Sequence, residues 1–144
     1  MNKKRWIQAS VAVFVVMFAL EFLIHAVLLQ ESYQKTAALW RSETEMQGMM
    51  WLMWAGYAIF APFFTYIYIQ GYAPKKPGLE QGLRFGLYMG LALAPMQSLG
   101  WYTVLPIPGM LAFYWFLAGM VEFVALGATA GLVYNNKTNT KAWW

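Results

Sequence analysis

Four long stretches of this chain carry very little charge, and this constrains its fold more than any other feature. They cover residues 6–30, 48–70, 79–105 and 110–134. About 20 predominantly apolar residues are enough for a helix to cross the hydrocarbon of a bilayer. No water is available there, so a spanning segment must satisfy its own backbone hydrogen bonds, which a helix does. Composition agrees. The chain is 60% hydrophobic and 11% charged, with a mean hydropathy of +0.44, whereas a soluble domain carries about 25% charged residues. The expected fold is all-α: one domain, a polytopic four-transmembrane-helix bundle. The other parts are an external segment at 31–47, a cytoplasmic loop at 71–78 and a cytoplasmic tail at 135–144.

Orientation follows from the basic residues. Lys3, Lys4, Arg5, Lys75, Lys76, Arg84, Lys137 and Lys141 fall on one side of a four-span chain, and Lys35 and Arg41 on the other. Lys and Arg accumulate on the cytoplasmic side, so both termini are expected inside. The net charge of +4 is spread over helix ends, which suits topology and not a nucleic-acid patch. The basic N-terminus before an apolar run has the outline of a signal peptide. That run is too long for the role and contains Glu21 and His25, so an uncleaved first span is expected. The chain has no Cys, which excludes disulfide exchange, thiolate metal sites and thioether-linked haem.

Local signals place the helices more finely. Ser42-Glu43-Thr44-Glu45 has the spacing of a capping box and is expected to start the second long helix. Pro62 and Pro95 lie inside spans and are expected to kink them. Gly71 to Gly78 holds the prolines and glycines of a turn. Gly82, Gly86, Gly90 and Ala94 recur every four residues, a small-residue ridge that lets another helix approach closely, and Gly127 and Gly131 repeat the pattern. Gln97 is read as continuing the first ridge. The link at 105–109 is too short to do more than reverse direction, so the last two spans are antiparallel neighbours.

The chemistry-bearing residues are few. Glu21 and His25 are four apart and share a helix face. An ionisable group within a membrane span is costly and marks a functional site by default. The inward face of the first span is read as Ser10, Phe14, Met17, Glu21, His25 and Leu28. Ala12, Val16, Leu20, Leu23 and Val27 are assigned to lipid. A rise of about 1.5 Å per residue puts Glu21, Gln97 and Glu122 at similar depth, with His25 one turn further out. Glu21, His25, Gln97 and Glu122 are therefore expected to form an intramembrane polar cluster that opens outward. Tyr57 is read as packing, and Tyr33 and Trp40 as interface anchors.

Three segments suggest a wider likeness: Glu21-Phe22-Leu23-Ile24-His25, Gly78-Leu79-Glu80-Gln81-Gly82-Leu83-Arg84-Phe85-Gly86 and Trp115-Phe116-Leu117-Ala118-Gly119-Met120-Val121-Glu122. With them the chain resembles small, uncharacterised four-span proteins of the bacterial inner membrane. The resemblance implies the bundle and carries over no activity and no functional residue. Three functional readings follow from the residues. The foremost is a non-enzymatic accessory or assembly subunit, held to other membrane subunits or to itself by its small-residue ridges. The second is a carrier of protons, cations or a small solute that uses Glu21 and Glu122. The third is a redox protein binding a metal, haem or quinone, with Glu21, His25 and Glu122 as candidate metal ligands. No cofactor is implied beyond these alternatives. No nucleophile–base arrangement or phosphate loop is present, so no catalytic residue is assigned.

Overall fold

The computed structural model describes residues 1–134; the tail at 135–144 lies outside them. All regular structure in the described residues is helical. Helix α1 covers Lys3–Glu21 and continues as a π-helical turn over Phe22–Leu28. A short α2, Gln30–Lys35, and a 3-10 turn, Ala37–Leu39, lead to α3, Glu43–Gln70. Helices α4, Gly78–Val104, and α5, Gly109–Val133, complete the chain. Three helical stretches are long and apolar enough to cross a membrane: Lys3–Leu28, Glu43–Gln70 and Gly109–Val133. Helix α4 matches them in length, at 27 residues. Its glycines, Glu80, Arg84 and Gln97 keep it outside that apolar class.

Helix ends follow the local chemistry. Ser42 caps α3 with both bonds of a capping box: its hydroxyl accepts the Glu45 N–H, and the Glu45 carboxylate accepts the Ser42 N–H at 3.1 Å. Pro62 and Pro95 each lie inside an unbroken helix. Between α3 and α4, the Gln81 side chain holds the turn, accepting from the Ala73 N–H at 2.7 Å and donating to its carbonyl at 3.1 Å.

The tightest packing is between α4 and α5. Gly82, Gly86 and Gly90 on α4 and Gly127 and Gly131 on α5 let the two backbones touch. A Cβ on Gly127 would lie 2.7 Å from the Gly86 Cα, and one on Gly86 would lie 2.8 Å from the Val124 Cα. Gly78 extends this seam, because a Cβ on Gly131 would overlap its carbonyl. At the other end the seam continues through Ala94 and Ser98, both 2% exposed. Gln97 is exposed instead. A ridge with a four-residue repeat passes through position 98, and Gln97 is turned about 100° away from it.

Helix α1 lies between α3 and α5. Against α3, the Trp6 indole donates to the Pro62 carbonyl at 3.1 Å, and the Ser10 and Thr65 hydroxyls meet at 2.7 Å. Ala9 and Val13 are fully buried in a core with Phe64, Leu126 and Ala130. The expected division of α1 into one inward and one lipid-facing side is therefore corrected. Val16 and Leu20 pack against core residues, while Leu28 is 67% exposed. With neighbours on two flanks, α1 buries a broad arc. Past Glu21 the π-turn, marked by the Leu29 N–H bonding to the Ile24 carbonyl, rotates later residues off the α-helical wheel.

Aromatic rings close the bundle at the end that holds Asn2, Tyr134 and the 71–78 turn. Phe64 and Tyr68 on α3 reach Phe85 on α4, with ring centroids 4.8 and 5.6 Å apart. The Tyr68 hydroxyl donates to the Gly78 carbonyl, and the Asn2 N–H to the Tyr134 hydroxyl. A second apolar core, with Ile24, Leu29, Ile107 and Leu111, closes the opposite end.

Candidate functional site

Away from the aromatic closure, α3 keeps to α1 and α4 keeps to α5. Between them lies a cavity of about 680 Å³. Its exposed rim includes Met53 and Trp54 on α3 and Gln97 and Trp101 on α4. Its far wall carries Glu21 and His25 from α1 and its π-turn, Tyr57 from α3, and Glu122 from α5.

All four residues of the expected polar cluster line this cavity, but they are not joined into one network. Glu21 and His25 stand 3.5 Å apart, with side chains 22% and 40% exposed. Glu122 interacts electrostatically with Glu21, and Tyr57 with both carboxylates. The Glu122 Oε1 atom is buried and has no hydrogen-bond partner. Gln97 stands apart from them at the rim. Among the described residues no three His, Asp or Glu side chains come close enough to hold a metal ion. The candidate ligands Glu21, His25 and Glu122 therefore do not form a metal-binding group.

The residues that organise His25 come from the segment at 31–47 and from α5. The His25 Nδ1 atom lies 2.5 Å from the Tyr33 hydroxyl, and the Trp115 indole N–H donates to that same hydroxyl at 2.8 Å. An indole only donates, and a phenol has one proton. With a neutral imidazole whose proton sits on Nε2, facing Glu21, Tyr33 gives its proton to Nδ1. Burial pushes the Tyr33 phenol up to about 12, so it is a donor throughout the neutral range. Trp115, Tyr33, His25 and Glu21 thus form a directed line along one wall. Trp40 packs edge-on to Tyr33, with centroids 5.6 Å apart, and its indole donates to the Thr36 hydroxyl.

These contacts lie at the end where the polar cluster is expected to open. Residues 30–40 fold back over the end of the bundle, and Tyr33, Trp40 and Trp115 cover it. Access is left at the side, between α3 and α4. Sequence reasoning assigns Tyr33 and Trp40 to the interface and Tyr57 to packing, and gives Trp115 and Ser98 no role. It also does not foresee the π-turn that carries His25. The one advance signal of that turn is the isolated histidine in an apolar run, since π-turns often occur at functional sites.

No family model matches the chain, and no curated protein or solved structure is detectably similar to it.

Proposed function

We propose that this chain is a four-pass protein of the bacterial inner membrane, with both termini cytoplasmic, that binds and carries a small lipid-soluble solute through its lateral cavity. The observation that carries this reading is the cavity itself, with two carboxylates on its wall and its rim between α3 and α4. Ligand sites of about 300–1,000 Å³ that are mainly apolar with a few convergent polar groups are typical of small-molecule binding. The volume of about 680 Å³ lies inside that range. A partner's spanning helix, roughly 30 Å long and 10 Å wide, fills on the order of 2,000 Å³. Size therefore favours a small molecule over a subunit's helix, and the carrier reading over the accessory-subunit reading.

The bands of large exposed apolar side chains support residence in lipid. Ile7, Val11 and Val15 on α1, Ile59 and Phe63 on α3, and Val121 and Leu132 on α5 are each more than half exposed. A solute that partitions into the bilayer would reach the rim without crossing water. Glu122 would then engage its polar part, because a buried acceptor without a donor is costly.

The test is native mass spectrometry of the protein released from nanodiscs of its host lipid. The expected result is a reproducible small adduct, retained by wild type and lost when Ala118→Trp fills the cavity. An adduct-free spectrum, or one unchanged in Ala118→Trp, would remove the binding reading.

A further inference from the structure

We infer that the cavity selects lipophilic protonated amines: an apolar body carrying at least one N–H on a cationic nitrogen. The inference rests on the cavity being a solute site, as proposed above, and names the class of solute.

Three features converge on it. First, the charge of the lining is one-sided. Glu21 and Glu122 line the cavity, and among the described residues no Lys or Arg does. An anionic solute finds only His25 there, already set against Glu21, whereas a cation compensates carboxylates that are otherwise expensive to hold away from water.

Second, the remaining wall is aromatic to an unusual degree. Trp54 and Trp101 stand at the rim, Tyr57 lies deeper, and Trp40, Tyr33 and Trp115 cover the end. Ring faces attract ammonium groups, indole most strongly, and cages of this kind recognise alkylated ammonium ligands. The same rings offer the apolar body a large contact surface.

Third, the Glu122 Oε1 atom is buried and unpartnered on this wall, and in the ionised group it accepts a hydrogen bond and donates none. A carboxylate paired with a charged N–H makes a short, strong bond. A quaternary ammonium satisfies the rings and the charge but has no proton for Oε1. The site is therefore expected to rank protonated amine above quaternary analogue, quaternary above neutral alcohol, and alcohol above carboxylate.

The experiment uses the full chain in zwitterionic nanodiscs at pH 7, with tryptophan fluorescence as the readout and empty nanodiscs as the partition control. The probes are 4-phenylbutylamine, its N,N,N-trimethyl analogue, 4-phenylbutanol and 4-phenylbutyrate. The expected result is amine binding at least about tenfold tighter than alcohol, with the carboxylate weakest. Glu122→Gln removes most of that preference while leaving alcohol binding unchanged. Glu31→Gln, outside the cavity, changes nothing. If Glu122→Gln does not fold, Glu21→Gln reads the same charge dependence from α1 on the same wall. Equal binding of amine and alcohol, or tighter binding of the carboxylate, overturns the amine assignment while the cavity stands as a neutral or anionic solute site. Absence of binding by all four probes overturns the assignment as well, and an adduct still seen by native mass spectrometry then shows that the solute reading survives it.

Discussion

Tyr33 shows how one side chain outside the long apolar helices can set the chemistry within them. Its oxygen accepts from Trp115 at 2.8 Å and shares a hydrogen bond with the His25 Nδ1 atom. Tyr33→Phe removes both functions and strands the Trp115 indole, a loss of about 1–3 kcal/mol. Trp115→Phe takes away the donor and leaves Tyr33 serving His25, so it is expected to cost less. Unfolding in SDS–detergent mixtures measures both, and equal losses would break the proposed direction of the line. From the sequence alone the Glu21–His25 pair is visible through its spacing of four. Tyr33, eight residues from His25, and Trp115, far along the chain, give no such sign. Their contact depends on where the segment at 30–40 comes to rest. Gln97 misleads in the opposite sense. A polar residue near a small-residue ridge reads as part of the seam, yet one step along a helix is enough to turn it to the rim, and Ser98 takes the buried position.

Among the elements, α4 and α5 are the pair most dependent on particular residues. Helix association in lipid has little hydrophobic drive and depends on close packing. Adding a methyl group at Gly82 or Gly127 drives a Cβ into the opposing backbone, and both helices must separate. Gly82→Ala and Gly127→Ala are each expected to destabilise the fold by about 1–3 kcal/mol, the usual range for overpacking. At Gly48 and Gly100 an added methyl group would meet nothing within 4 Å, and there alanine is expected to be neutral or to add up to about 1 kcal/mol through helix propensity. The same SDS titration discriminates. Equal effects at all four positions would mean that the glycines act only through backbone flexibility. The ridge on α4 and the repeat on α5 are both legible in the sequence. That they face one another, and that Gly78 joins them, follows from the tight reversal at 105–109.

For the whole molecule, the proposed topology makes a prediction that the absence of Cys renders simple to test. Single thiols introduced as Lys3→Cys and Lys75→Cys are expected to react from the cytoplasmic side, and Lys35→Cys and Pro106→Cys from the opposite side. Lys75→Cys and Pro106→Cys labelled from the same face would mean that α4 does not cross. Helix α4 is the one in question because the face it turns to α5 is made of glycines, Ala94 and Ser98. Its small, weakly apolar residues form a packing surface and leave little hydropathy to read. The opening between α3 and α4 also belongs to this scale. Each of these helices has a partner of its own, and only bulky rings near one end draw them together.

By itself, the sequence determined the helical class, the capping box at Ser42 and the glycine seam. These are local matters of propensity, hydrogen-bond satisfaction and residue size. It also singled out Glu21, His25 and Glu122, because charge in a long apolar run stands out from its surroundings. The tertiary structure decided which faces of α1 are covered, where the cavity opens and what holds His25. Lipid and protein interior are similarly apolar, so periodicity separates them poorly in a membrane chain. Contacts between distant segments, and a π-turn that resets the helical register, supplied what periodicity could not.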